Sequence, residues 1–216
     1  KFCGEYIPLR YKSSKDKHPP IIAICDVSGS MSRYSRMLLH FMHVLTTLRN
    51  DVHTFLFGTR LTNVTRFLRF KDVDEALAAT SSAVEDWSGG TRIGDCLKEF
   101  NFNWSRRVLG PGAIVLFITD GLDRGGGIGL SKQIKLIQKS SKRLIWLNPL
   151  LRYEEFAPKP TGVKAILPHV DEFRPIHSLE SMDQLVNALS ETNLQSRFNM
   201  APWLEKLSEI ENAECH

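Results

Sequence analysis

No stretch of these 216 residues approaches the roughly 18 consecutive apolar positions that a membrane-spanning helix needs, and no apolar signal-type segment stands near the start. A chain that begins at Lys1 reads as a fragment of a longer one. Cysteine is scarce: Cys3, Cys25, Cys96 and Cys215 share no C-x-x-C spacing, and two of them fall inside predicted core elements. That usage argues for free, unreactive thiols in a reducing compartment, and so for a cytoplasmic setting. Charge of one sign is also in short supply. A net charge of +4, with the basic stretches LRYKSSKDKH, SRR and KSSKR lacking interleaved aromatics, falls far short of a dedicated nucleic-acid binder. Repeats and low-complexity tracts are missing, and the glycine run GLDRGGGIG satisfies neither G-x-G-x-x-G nor G-x-x-x-x-G-K-[ST], so it reads as a flexible linker rather than a phosphate cradle.

What is present is an ordinary globular balance, 42% hydrophobic and 24% charged, enough for a sizeable core. IIAIC (21–25) and AIVLFIT (113–119) are apolar runs of the kind found in parallel strands covered on both faces. VHTFLF (52–57) makes a third strand, and LTNVTRFL (61–68) alternates like an antiparallel edge strand. RLIWLN and VDEFRPI bring the count to about six.

Between the strands, Met37, Leu38, Phe41, Met42, Leu45 and Leu48 recur at helical spacing within 33–49. Asp72 with Glu75, and Ser181 with Gln184, open two further helices as capping boxes. RIGDCLKEFNFNW and SKQIKLIQKSSK supply two more, and 149–160 is a Pro-containing loop. The alternation predicts a three-layer, doubly wound, Rossmann-like α/β fold: a mostly parallel sheet of about six strands with one antiparallel edge. The predicted organisation is an N-terminal extension (1–18), one domain (19–192) and a weakly held tail (193–216) with a short amphipathic helix, WLEKLSEI.

Ligands of open α/β sheets gather outside the carboxyl ends of the strands, where strand order reverses. Asp26 closes the first buried strand and begins D-x-S-x-S with Ser28 and Ser30; Asp120 closes the second, in ITDG; Thr91 follows Gly89 and Gly90 in WSGGTR. Each piece has a plain structural account. The D-x-S-x-S string is a good helix-capping turn, Thr91 a good N-cap, and Asp-Gly a good turn. Together they offer five oxygen donors and no nitrogen or sulfur, a set suited to Mg²⁺, Mn²⁺ or, less tightly, Ca²⁺, with one coordination position left open.

DVSGSM, SGGTRIGD and FITDG, in this order, resemble the metal-ion-dependent adhesion site of von Willebrand factor A-type (VWA) domains. DVSGSMSRYSRMLLHF, DWSGGTRIGDCLKEFN, VLFITDGLDRG, RLIWLNPLL and AILPHVDEF further resemble the CoxE-like group, named for accessory proteins of bacterial carbon monoxide dehydrogenase. The resemblance implies a non-catalytic, intracellular interaction module. Asp26, Ser28, Ser30, Thr91 and Asp120 would hold the cation, and a partner's Asp or Glu would fill the open position. The implied partner is a MoxR-type AAA+ ATPase, its client metalloenzyme of the molybdenum hydroxylase type, or both.

Two other classes fit less well. A Mg²⁺-dependent phosphoester hydrolase lacks a second carboxylate two residues after Asp26; Asp123 is its only conceivable acid or base, against a plainer role as a solvated or Arg124-paired loop residue. A nucleic-acid-binding protein has only the basic stretches above. His40 and His43, three apart on one helix, read as a surface pair rather than a zinc site. Arg33, Arg92 and Arg124 flank the candidate site in sequence; they either steer an acidic partner or, as basic loop residues usually do, simply face water.

Overall fold

Every residue of the first apolar run is buried, and the computed structural model shows why: β1 (Ile21–Asp26) lies at the centre of a six-stranded sheet. The structure describes residues 18–84, 90–153, 155–190 and 199–214. Residues 1–17 with their basic stretch and Cys3, together with Gly89 and Cys215, lie outside the described residues.

From β1 the chain runs through α1 (Ser32–Leu48) to β2 (Val52–Phe57) and the short β3 (Leu61–Asn63). It continues through α2 (Val73–Ala83), α3 (Ile93–Glu99) and α4 (Ser105–Val108) to β4 (Ile114–Ile118). Then follow α5 (Leu130–Ser140), β5 (Arg143–Asn148), α6 (Thr161–Ile166), β6 (Glu172–Pro175), α7 (Leu179–Ser190) and α8 (Ala201–Glu214). Sheet order is β3-β2-β1-β4-β5-β6, all parallel except β3 against β2. This is the predicted doubly wound architecture.

Strand alternation divides the core in two. Ile21, Ala23 and Cys25 face α1, α2 and α7, whereas Ile22 and Ile24 face the layer that holds α3, α5 and α6. At roughly 1.5–3 kcal/mol for each fully buried large aliphatic or aromatic side chain, the two layers supply the main force for folding. α8 adds to the second layer: Trp203 meets Phe173 at 5.2 Å and Phe156 at 5.8 Å, and Leu207 is buried. The helix is thus longer than WLEKLSEI and is docked by an aromatic cluster.

Several local expectations change. LTNVTRFL is a strand only over Leu61–Asn63, because the Asn63 side chain accepts from Thr65 N at 3.0 Å and turns the chain into a 3₁₀ turn at Phe67–Arg69. Asp72 caps α2 as expected, accepting from Glu75 N at 2.9 Å. Ser181 does not open its helix. α7 starts two residues earlier, and Ser178 and Ser181 cap each other, Ser181 N donating to Ser178 Oγ and Ser178 N to Ser181 Oγ. RIGDCLKEFNFNW passes through a π-helical stretch, Phe100–Trp104, which buries Phe100 and leaves Phe102 87% exposed. The loop after β5 begins with a 3₁₀ turn at Pro149–Arg152, and α6 was not foreseen. His43 is buried and its Nε2 donates to Phe70 O at 2.9 Å, so the two histidines are not a surface pair. Glu172, fully buried, pairs with both Arg143 and Arg174 and ties β5 to β6.

Candidate metal centre

The chain leaves β1 on one side, toward β2 and β3, and returns on the other as β4. The strand order therefore reverses between β1 and β4, and a crevice opens above their carboxyl ends. Asp26 occupies the last position of β1 and Asp120 lies two residues beyond β4, so both carboxylates sit at the foot of that crevice, 0% and 2% exposed.

Each is held by neutral donors. Asp26 Oδ1 accepts from Ser28 N at 2.8 Å, and Asp26 Oδ2 accepts from the Thr119 hydroxyl at 2.8 Å. Thr119 Oγ1 in turn accepts from Gly121 N at 3.1 Å. Asp120 Oδ1 accepts from Leu122 N at 3.0 Å, while its backbone carbonyl is anchored by Asn148 Nδ2 at 3.2 Å. Among the described residues neither carboxylate forms an ion pair. Burial therefore dominates at Asp26: its pKa rises from 3.8 to about 6, with the hydrogen bonds from Ser28 and Thr119 opposing the shift and the Asp120 charge adding to it.

Gly121 makes the third loop possible. Its φ of 81° is in the left-handed region, and a Cβ there would lie 2.8 Å from a methyl of Val163 and 3.0 Å from the Trp146 ring. A Cβ on Gly162 would lie 2.3 Å from Gly121 O, so α6 packs directly against this loop.

The hydroxyls line the walls. Ser28, Ser30 and Thr91 border one cleft of about 360 Å³, with Gly90, Leu122 and Arg124 beside them. Ser28 Oγ and Ser30 Oγ stand 3.2 Å apart. Thr91, 4% exposed, does not cap α3: Arg92 is the N-cap residue, and no described residue takes the Thr91 hydroxyl. The donor to which that cap is usually directed is served by Asp123, which accepts from Ile93 N at 2.9 Å and from Gly127 N at 2.9 Å. Arg124 N also donates to Thr91 O at 2.9 Å, so the second and third loops are stapled together.

Asp123, half-buried on the cleft wall, thus has both its oxygens engaged by backbone donors, and no ion pair with Arg124 occurs among the described residues. The glycine run after it is a series of turns, with Gly126, Gly127 and Gly129 at positive φ, rather than a free linker. Sequence reasoning also passed over Thr119, although a hydroxyl closing an unbroken apolar run was a visible signal. Nothing in the sequence announced Asp123 as a staple, since its partners lie 30 residues before it and 4 after.

Does the donor set suit a cation? No group of three or more His, Cys, Asp or Glu side chains capable of holding a metal occurs among the described residues. Any ion here would rest on two carboxylates and three hydroxyls. Buried carboxylates are ordinarily paired or coordinate a metal, and these two have no basic partner among the described residues. The set fits a hard divalent cation.

The nearby cysteines take no part. Burial pushes the Cys25 thiol far up, and burial with neighbouring carboxylates pushes Cys96 up to about 12. No helix among the described residues is long and apolar enough to cross a membrane.

Solved structures of other proteins share this fold, although no curated protein matches the chain in sequence. Proximal thread matrix protein 1 from the mussel byssus superposes with a TM-score of 0.54 at 18% identity, covering 81% of this chain and 47% of its own. A second structure of that protein, with a zinc-occupied MIDAS motif, gives a TM-score of 0.52 at 17% identity over the same shares. The pilus adhesin SpaC from Lactobacillus rhamnosus GG, in its open conformation, gives 0.54 at 13% identity, covering 81% of this chain and 30% of its own. At such identities the likeness is one of fold, and this chain spans about half the length of the mussel protein. A family model described as VWA domain containing CoxE-like protein matches residues 1–182. With most of its length under that match, and with the sheet order and crevice described above, the chain belongs to the VWA domain containing CoxE-like proteins.

Proposed function

We propose that the protein is a metal-dependent interaction module that carries out no chemistry of its own. Asp26, Ser28, Ser30, Thr91 and Asp120 hold a divalent cation, Mg²⁺ in the first instance, at the mouth of the β1/β4 crevice. One observation carries this reading: two buried carboxylates with no basic partner among the described residues, beneath a cleft walled by hydroxyls. A bound ion would supply the missing positive charge and, with only two carboxylates to neutralise it, would retain attraction for an external acid. The zinc-occupied MIDAS motif of the mussel neighbour is consistent with a cation in this fold.

The protein's own residues do the positioning. Thr119 and Ser28 N orient Asp26, Leu122 N orients Asp120, and Asp123 fixes the loop that presents Thr91. On the strength of the family, the partner offering the acid is an AAA+ ATPase of the MoxR type or its client metalloenzyme, in which this chain serves as a maturation factor. A phosphoester hydrolase is less well supported, because Asp123, its candidate acid or base, has both oxygens occupied by backbone donors.

Calorimetric titration with Mg²⁺ tests the first half: the wild type binds, and Ser28→Ala and Thr91→Ala lose binding while keeping a native circular dichroism spectrum. Capture of a recombinant MoxR-type ATPase with Mg²⁺, and its release by chelator, tests the second. Capture that ignores the chelator would refute the docking reading.

A further inference from the structure

The cleft above the candidate metal centre contains a positive charge that the five donors do not need. Arg124 lines it together with Ser28, Ser30 and Thr91. Its guanidinium lies so close over Gly90 that a Cβ there would come within 2.7 Å of Nη1 and 2.8 Å of Cδ. Its backbone is pinned by the bond to Thr91 O. The side chain nevertheless forms no ion pair among the described residues: Asp123 lines the same cleft, but its two carboxylate oxygens accept from Ile93 N and Gly127 N rather than from the guanidinium. Arg124 is exposed at the rim of this cleft; a guanidinium beside a cation site repels the ion, and an anion bound between the two relieves that repulsion.

Resting on the docking reading above, we propose that Arg124 is a second anion subsite, and that the partner is an acidic segment presenting two carboxylates to this cleft. One is directed to the cation and the other to the Arg124 fork, whose planar donors match a carboxylate in two parallel hydrogen bonds. In an extended segment, residues i and i+2 lie on one face roughly 7 Å apart, a separation suited to neighbouring subsites in so small a cleft. The recognised motif is therefore acid-x-acid.

The probes are Gly/Ser-flanked peptides carrying Glu-Ser-Glu, Glu-Ser-Gln or Gln-Ser-Glu, titrated by fluorescence anisotropy with Mg²⁺ or with chelator. The wild type is expected to prefer the two-acid peptide by about tenfold or more, the scale of a charge-assisted hydrogen bond. Arg124→Gln should erase that preference while retaining Mg²⁺-dependent affinity for the single-acid peptides. Gly90→Ala, which displaces the guanidinium, should weaken the preference in the same direction. A ratio near one in the wild type, or unchanged in Arg124→Gln, with Mg²⁺-dependent binding intact, overturns the second subsite alone. Binding that ignores both Mg²⁺ and Ser28→Ala overturns the docking reading itself, and the proposal with it.

Discussion

Replacing Asp26 by Asn should make the metal-free protein more stable at neutral pH and deprive it of its response to Mg²⁺. Asn is nearly isosteric: Oδ1 still accepts from Ser28 N, and the new amide can donate to Thr119 Oγ1, which already accepts from Gly121 N. What the substitution removes is a fully buried negative charge that only a proton or a cation relieves. Below the ordinary carboxylate range, folded and unfolded chains both carry the proton and the residue costs nothing. As pH rises through about 4 the unfolded chain ionises first, and the folded chain follows only near 6, so the native state loses ground across that interval and carries the full cost from about pH 7 upward. A shift from 3.8 to about 6 corresponds to a cost on the order of 3 kcal/mol. The Thr119 hydroxyl proton loses its acceptor in the variant, which returns about 1 kcal/mol.

The net expectation for Asp26→Asn is a gain of about 2 kcal/mol at pH 8, or roughly 4–8 °C in Tm, shrinking to nothing or reversing at pH 4. Urea denaturation of chelator-treated wild type and variant at pH 4, 6 and 8 measures it, and repetition with Mg²⁺ should stabilise the wild type alone. A difference between the two proteins that does not change with pH, or an Asp26→Asn protein that gains as much from Mg²⁺ as the wild type, would refute the reasoning.

Three further outcomes are expected. Asp123→Ala, which frees Ile93 N and Gly127 N, should cost about 2 kcal/mol in urea denaturation and weaken Mg²⁺ binding in calorimetry, with Asp123→Asn milder in both. Glu172→Ala leaves Arg143 and Arg174 facing an empty buried position and should cost about 3–5 kcal/mol by the same measurement, without altering Mg²⁺ affinity in whatever fraction remains folded. Cys25 and Cys96, buried and with thiols pushed well above neutral pH, should be modified by a thiol reagent only as fast as the chain unfolds, as followed by peptide mapping across a urea series.

The parts of this molecule that could be read in advance are those with a local cause. An apolar run with no polar interruption has to be covered on both faces, and β1 and β4 are. Asp26, Ser28 and Asp120 were conspicuous because polar residues at the end of such runs have no packing reason to be there. The errors lie where a distant group decides. The local sequence left Thr91 open to a second account as a cap, and only Asp123, 30 residues from Ile93, decides against it by taking that role and leaving Thr91 on the cleft wall. Ser181 looked like the first cap of α7, but Ser178 fits the geometry one turn earlier. The short strand at Leu61–Asn63 ended early because the Asn63 side chain offered the backbone a turn, a competition that alternation alone does not reveal.

The bond from Thr119 to Asp26 joins positions 93 residues apart in the chain. A ribosome that has delivered the first strand, its helix and the hairpin has therefore made only half of the crevice, and the other half arrives with the segment that ends at Asp120. Only a chain extended past this point, with its two central strands zipped side by side, holds both acids together, so the crevice is a late product of synthesis and a prematurely released fragment lacks it.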